Sequence, residues 1–172
     1  MTLPSIVPFA RRPYDWFFVA YFIMHIPLTL ICDAQIVFPR EYFPSFAVNA
    51  MQDWIRDFDD QLARTKPLWF QAFVVVELLF HVPYFFVAAA AFYRGDNRIR
   101  TISIVYATAV IASMIPILPE AWVQSTAPLN VKIPCISIYG LWLLIPILLL
   151  QRVWNERVFD YETVPASDKK QQ

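Results

Sequence analysis

The chain has 172 residues, of which 58% are hydrophobic, 17% aromatic and only 16% charged, and its formal net charge is zero. That is too apolar for an ordinary soluble domain, and the balanced charge suggests no nucleic-acid partner. Its two glycines, Gly95 and Gly140, cannot build a phosphate loop or dinucleotide fingerprint, and its two cysteines, Cys32 and Cys135, cannot supply a four-ligand structural zinc site.

Met1 to Arg12 does not read as a cleavable signal, because the apolar run behind it starts late and is too long. Four apolar segments follow, at about 15–38, 68–93, 101–118 and 134–154. Each is long enough to span a bilayer as a helix. Each also holds an interior proline: Pro27, Pro83, Pro116 and Pro146. Proline removes a backbone hydrogen bond and kinks a helix, which a membrane protein tolerates where neighbours satisfy the freed carbonyl. The expected fold is therefore an all-α membrane protein, a bundle of four proline-kinked transmembrane helices around an intramembrane ligand cavity. Residues 1–155 form one domain, and 156–172 form a polar tail. The 39–67 loop alternates apolar and charged residues between Phe46 and Leu62, which predicts a short amphipathic helix over the bundle mouth.

With four spans, the two termini and the 94–100 loop share a side. That side carries nine of the fourteen basic residues, so both termini are expected in the cytosol and the 39–67 loop in the lumen. The C-terminal Lys169-Lys170-Gln171-Gln172 resembles a dilysine retrieval signal, which predicts the endoplasmic reticulum membrane.

Glu77 is the only formally charged residue between Leu68 and Tyr93. It lies roughly 14 Å along the helix from Leu68, and a carboxylate at that depth costs at least about 2.5 kcal/mol. Such a group is a candidate functional site whose partner must be found. On the first span, Tyr21, His25, Thr29 and Asp33 form a polar stripe at four-residue spacing. Asp33 and Glu77 are expected to meet, Glu77 keeping its proton and donating it to Asp33, so that the pair carries one negative charge. This suits the capture of a cationic amine, or a carbocation stabilised during a proton shuttle. Phe58, Phe70, Phe73, Tyr106, Tyr139 and Trp142 offer flat faces to rings and to an ammonium. Trp54, Trp69, Trp122 and Trp154 read as interface anchors. Glu77 and His81 have a spacing a metal could use, but no second carboxylate–histidine motif completes a di-metal bundle, so no metal and no cofactor are expected.

The combination His25-Ile-Pro-Leu-Thr-Leu-Ile-Cys-Asp33-Ala-Gln35, then Phe38-Pro-Arg-Glu41, Trp69-Phe70, Glu77-Leu, Pro83-Tyr-Phe, Ile99-Arg-Thr-Ile, Met114-Ile-Pro-Ile-Leu118, Ser137-Ile-Tyr139 and Ile145-Pro146 resembles the sigma-2 receptor family, within the wider emopamil-binding-protein or EXPERA superfamily. The likeness spans about residues 14–155. It implies that Asp33 pairs with a ligand amine, that Glu77 hydrogen-bonds Asp33, and that Asp60 supports the site. It also places Gln35, Tyr106, Ser113 and Tyr139 on the pocket wall. It implies sterol binding, a homodimer, and a link to the lysosomal cholesterol transporter. The chain departs from the family pattern at His81 for a glutamine, which adds a candidate proton carrier, at Trp142 for a tyrosine, which shifts the wall toward the sterol isomerase of the superfamily, and in a shorter loop over Pro119–Lys132.

Three functional readings follow. The first is a non-enzymatic protein of the endoplasmic reticulum that binds sterols and cationic amphiphilic amines and serves sterol homeostasis or trafficking. The second is a sterol Δ8–Δ7 isomerase in which Glu77, Asp33, His25 and His81 move protons and Trp142 faces the cation. The third is an assembly or trafficking factor with no physiological small ligand.

Overall fold

The structure, a computed structural model, describes residues 3–164, so Lys169 and Lys170 lie outside the described residues. Helix α1 runs Pro13–Ile31, opening with a proline in its first turn, where the missing amide costs nothing. It passes through Pro27 and tightens into a 3-10 turn at Asp33–Ile36. Helices α2 (Ser45–Phe58) and α3 (Gln61–Thr65) follow. Then come α4 (Leu68–Val76), a single π turn at Glu77–His81 and α5 (Val82–Arg94), which together make one span. Two 25-residue helices complete the bundle, α6 (Arg100–Gln124) and α7 (Leu129–Val153).

Four stretches are long and apolar enough to cross a membrane: Pro13–Ile36, Leu68–Arg94, Asn97–Gln124 and Leu129–Val153. The protein is an all-α, multi-pass membrane protein. The third span runs past Leu118 through Pro119, and the fourth begins before Pro134, so both exceed the expected limits. The reason lies in position. Pro134 falls near the start of α7, where the carbonyl it frees, that of Asn130, belongs to the first turn, and Pro119 frees the Ile115 carbonyl, the loss of one helical bond that α6 tolerates for five more residues. Three helices open directly behind a proline in extended geometry, at Pro44, Pro67 and Pro128.

The amphipathic segment expected over 46–62 is broken at Asp59, whose φ of 50° ends α2 and turns the chain into α3. This left-handed conformation is unusual for a residue other than glycine, though aspartate tolerates it better than most. A dense set of bonds holds it. The Asp59 carboxylate accepts from the Thr126 amide at 2.9 Å, the Ala127 amide at 3.2 Å, Ser125 Oγ at 3.1 Å and Arg64 at 3.2 Å. Burial works against the charged form of Asp59, but these donors outweigh it and hold the carboxyl below its ordinary range. The cap is thereby tied to the turn between α6 and α7.

Helix α1 packs along α5, and α6 packs along α7. Toward the chain termini the two pairs close on a core containing Phe18, Phe22, Phe85, Phe92, Leu149 and Val153. At the same end Asp15 is fully buried and joins Arg12 at 2.8 Å and Arg152 at 3.0 Å. Arg12 also donates to the Phe92 and Tyr93 carbonyls, and both guanidiniums lie over the ring of buried Phe159. Strand β1 (Leu3–Ile6) pairs antiparallel with β2 (Tyr161–Val164), tying the first and last described segments together. Gly95, at φ 76°, ends α5 in the left-handed form, and an added Cβ would collide with Ile6. Toward the cap a second core gathers Ile36, Leu62, Phe70, Val74, Met114 and Ile117. The space between the helix pairs at this level is the cavity.

Candidate functional site

The cavity has a volume of about 570 Å³ and takes lining from every span and from the cap. That size suits a drug-sized or sterol-sized molecule. Asp33, Glu77, Asp60, His25, His81, Phe70, Phe73, Tyr106, Ser113, Tyr139 and Trp142 all line it.

Each polar residue is placed by its element. Tyr21, His25 and Thr29 project from the inward face of α1, and all three are buried. Asp33 lies just beyond the α-helical part, in the 3-10 turn. On the second span the π turn starts at Glu77 and ends at His81, and such bulges recur at functional sites. Here both residues face the cavity.

Glu77 accepts a hydrogen bond from Thr29 Oγ1 at 2.9 Å, and His25 Nε2 stands 3.6 Å from the same oxygen. The expected bond from Glu77 to Asp33 is not formed among the described residues. Thr29, one turn before Asp33, reaches the carboxyl of Glu77 instead. The imidazole of His25 is enclosed by the rings of Tyr21, Phe85 and Trp142, each with its centroid 4.8–4.9 Å away. Its Nδ1 is buried with no hydrogen-bond partner among the described residues. Tyr106 meets the edge of His81 at 5.0 Å, and its hydroxyl lies 3.1 Å from that of Tyr21.

The cap supplies the roof. Asp60 caps α3 by accepting from the Ala63 amide at 3.0 Å. It also accepts from Trp54 Nε1 at 2.8 Å and from the Tyr139 hydroxyl at 2.7 Å. One buried carboxylate therefore joins α2, α3 and α7. Trp54 is thus a cavity wall and a donor to Asp60, not an interface anchor. Sequence reading missed it because the indole side of the amphipathic α2 faces inward only once α2 folds back over the bundle. By contrast Trp122 and Trp154 are exposed.

Two expected wall residues are not in the cavity lining. Gln35 is buried, but its side-chain amide donates to the Ile31 carbonyl at 2.7 Å and the Ala47 carbonyl at 3.1 Å, so it staples α1 to α2. Phe58 lies at the far end of α2 and packs, tilted by 34°, against Trp54 with ring centroids 4.3 Å apart. Lys66 donates to the Gln35 carbonyl, and burial together with nearby Arg40 pushes its ammonium down. Cys32 and Cys135 are free thiols. Among the described residues no group of three or more histidine, cysteine, aspartate or glutamate side chains could hold a metal ion.

The arrangement is an apolar, aromatic chamber with acids at two levels, able to enclose rings and to pair with a cation. Comparison with known proteins gives a consistent result. Residues 46–153 match the EBP family, described as EXPERA (EXPanded EBP superfamily). The chain is 34% identical to sigma intracellular receptor 2 of Homo sapiens over 167 residues, covering 90% of this chain and 95% of the relative. It is 34% identical to the Macaca fascicularis form over 168 residues, covering 91% and 96%. It is 40% identical to the Xenopus tropicalis form over 148 residues, covering 81% and 86%.

Proposed function

The chain belongs to the EXPERA superfamily and, within it, to the sigma-2 receptor family, and from that premise we propose that it binds sterols and cationic amphiphilic amines in its intramembrane cavity. The observation that carries this is one chamber of about 570 Å³ in which Asp33 and Glu77 sit among aromatic and aliphatic walls. Asp33 anchors the ammonium. Glu77, held by Thr29, supplies a second carboxyl beside it. Phe70, Phe73, Tyr106 and Trp142 enclose the apolar body. A neutral sterol fills the same chamber by shape. The protein resides in the endoplasmic reticulum membrane with both termini cytosolic, and acts in sterol homeostasis or trafficking. The excess of basic residues on the terminal side supports this placement. A homodimer and contact with the lysosomal cholesterol transporter belong to the same proposal and rest on family resemblance.

Purified protein should bind one photoreactive sterol per chain, and a cationic amphiphile should displace it mole for mole. Simultaneous occupancy by both, or no occupancy, would contradict a shared chamber.

A second reading has its own observation: Glu77, His25 and His81 face one cavity in which Trp142 packs on His25 at 4.8 Å. These are the groups a sterol Δ8–Δ7 isomerase needs, an acid and a base beside an aromatic face for the cation. Turnover of a Δ8 sterol, lost in Glu77→Gln, would establish catalysis. No turnover with the sterol still bound leaves the binding reading.

A further inference from the structure

A charged place of the opposite sign lies outside the cavity, where the first and second spans meet the cap. Arg40 follows the end of the first membrane-crossing stretch at Ile36, and Lys66 precedes the start of the second at Leu68. Both therefore stand at the depth of the lipid headgroups. Lys66 is held there by its neighbours. It ends α3 in the left-handed conformation at φ 48°, and its carbonyl accepts from Gln71 Nε2 at 2.7 Å. Its ammonium donates to the buried Gln35 carbonyl. That acceptor is neutral, so the bond leaves the positive charge unanswered.

Neither Lys66 nor Arg40 is in an ion pair among the described residues, although Glu41 stands next to Arg40 in the chain. The two cations also act on each other. Lys66 is half-buried, and the charge of Arg40 adds to burial in pushing its ammonium down. Like charges gathered in partly desolvated surroundings are costly until an anion joins them. Donors for an anion are at hand. The Lys66 ammonium keeps two hydrogens after its bond to Gln35, and the Arg40 side chain is exposed. The surface beside this pair is apolar: Phe38, just before Arg40, and Leu68, just after Lys66, are both exposed. A free anion gains nothing from that surface, whereas an acyl chain does.

We propose that Lys66 and Arg40 form a binding site for the anionic headgroup of a phospholipid in the leaflet on the cap side, with its acyl chains along Phe38 and Leu68. The lipid phosphate bridges the end of the first span to the start of the second. It does so whatever the cavity holds, so this site stands or falls independently of amine and sterol binding.

The test uses the purified full chain in detergent and an amine-reactive N-hydroxysuccinimide ester, with the labelling rate of Lys66 followed by peptide mass spectrometry. Lys132, which lies over the Trp122 ring at 5.1 Å, is the internal reference. Dioleoylphosphatidylglycerol in excess should slow Lys66 relative to Lys132 by about fivefold or more, the effect of one basic contact with an anionic lipid. Dioleoylphosphatidylcholine and inorganic phosphate should leave the ratio within about twofold of its starting value. Arg40→Gln changes only an exposed side chain and should remove most of the protection while Lys66 still labels. Absence of protection by phosphatidylglycerol, or equal protection by phosphatidylcholine, would overturn the proposal. Equal protection by inorganic phosphate would make this a free-anion site and overturn the lipid assignment. Full protection surviving in Arg40→Gln would overturn the two-cation site.

Discussion

At the scale of single residues, Thr29 does work that its place in the polar stripe only hinted at. It is fully buried and donates to Glu77 Oε1, so it fixes one carboxyl oxygen of an acid in the middle of an apolar span. Thr29→Val keeps the shape and removes the donor. It should lower stability by about 1–3 kcal/mol, measured as a loss of thermal stability in detergent, and Thr29→Ser should restore most of it. Asp15 poses the opposite problem, a buried acid between two guanidiniums. Asp15→Ala leaves Arg12 and Arg152 without that partner and should cost about 3–5 kcal/mol in unfolding experiments. The acids and rings of the site are visible in the sequence because each stands out against an apolar background. Thr29 and Trp54 are less visible, since a threonine or tryptophan in a membrane helix has several ordinary uses. Gln35 and Phe58 show the reverse: residues near the site in sequence that the fold spends on joining α1 to α2 and on packing against Trp54.

At the scale of elements, hydropathy and length reveal the four spans, and the structure adds what those signals do not carry. The π turn at Glu77–His81 changes helix geometry without any local signature in composition, yet it brings both residues to the cavity. The ends of α6 and α7 are misjudged from sequence because proline near a helix end looks like a stop, although it removes only one helical hydrogen bond and the helix can run through it. The break at Asp59 is hidden for a similar reason. Its cause is the pull of the Ser125–Ala127 turn, distant in sequence. That clamp has a pH consequence. The folded state lowers the affinity of Asp59 for protons, so its contribution is complete above the ordinary carboxylate value of about 4 and disappears as pH falls through the lower folded value. Hydrogen-exchange protection across α2 and α3, taken relative to the intrinsic rate at each pH, should therefore stay high at pH 5 and fall below about pH 4. Asp59→Ala should show low protection at both pH values.

At the scale of the whole molecule, two helix pairs close firmly at the end holding the chain termini and part around a chamber at the other. Phe159, clasped by Arg12 and Arg152, and the β1–β2 pairing anchor the start of the tail to the closed end. If Lys169 and Lys170 hold the protein in the proposed endoplasmic reticulum membrane, replacing both by serine should shift it elsewhere in cells. An unchanged distribution by fluorescence microscopy would remove the retrieval argument. The central claim is that one chamber receives both neutral sterols and cationic amines, with Asp33 as the anchor for the charge. Its most direct test is the affinity of a cationic amphiphile and of a neutral sterol for wild-type protein and for Asp33→Asn. The account predicts that amine affinity falls by about 30-fold or more, as for a charge left without its partner, while sterol affinity changes little. Amine binding that survives intact in Asp33→Asn would contradict it.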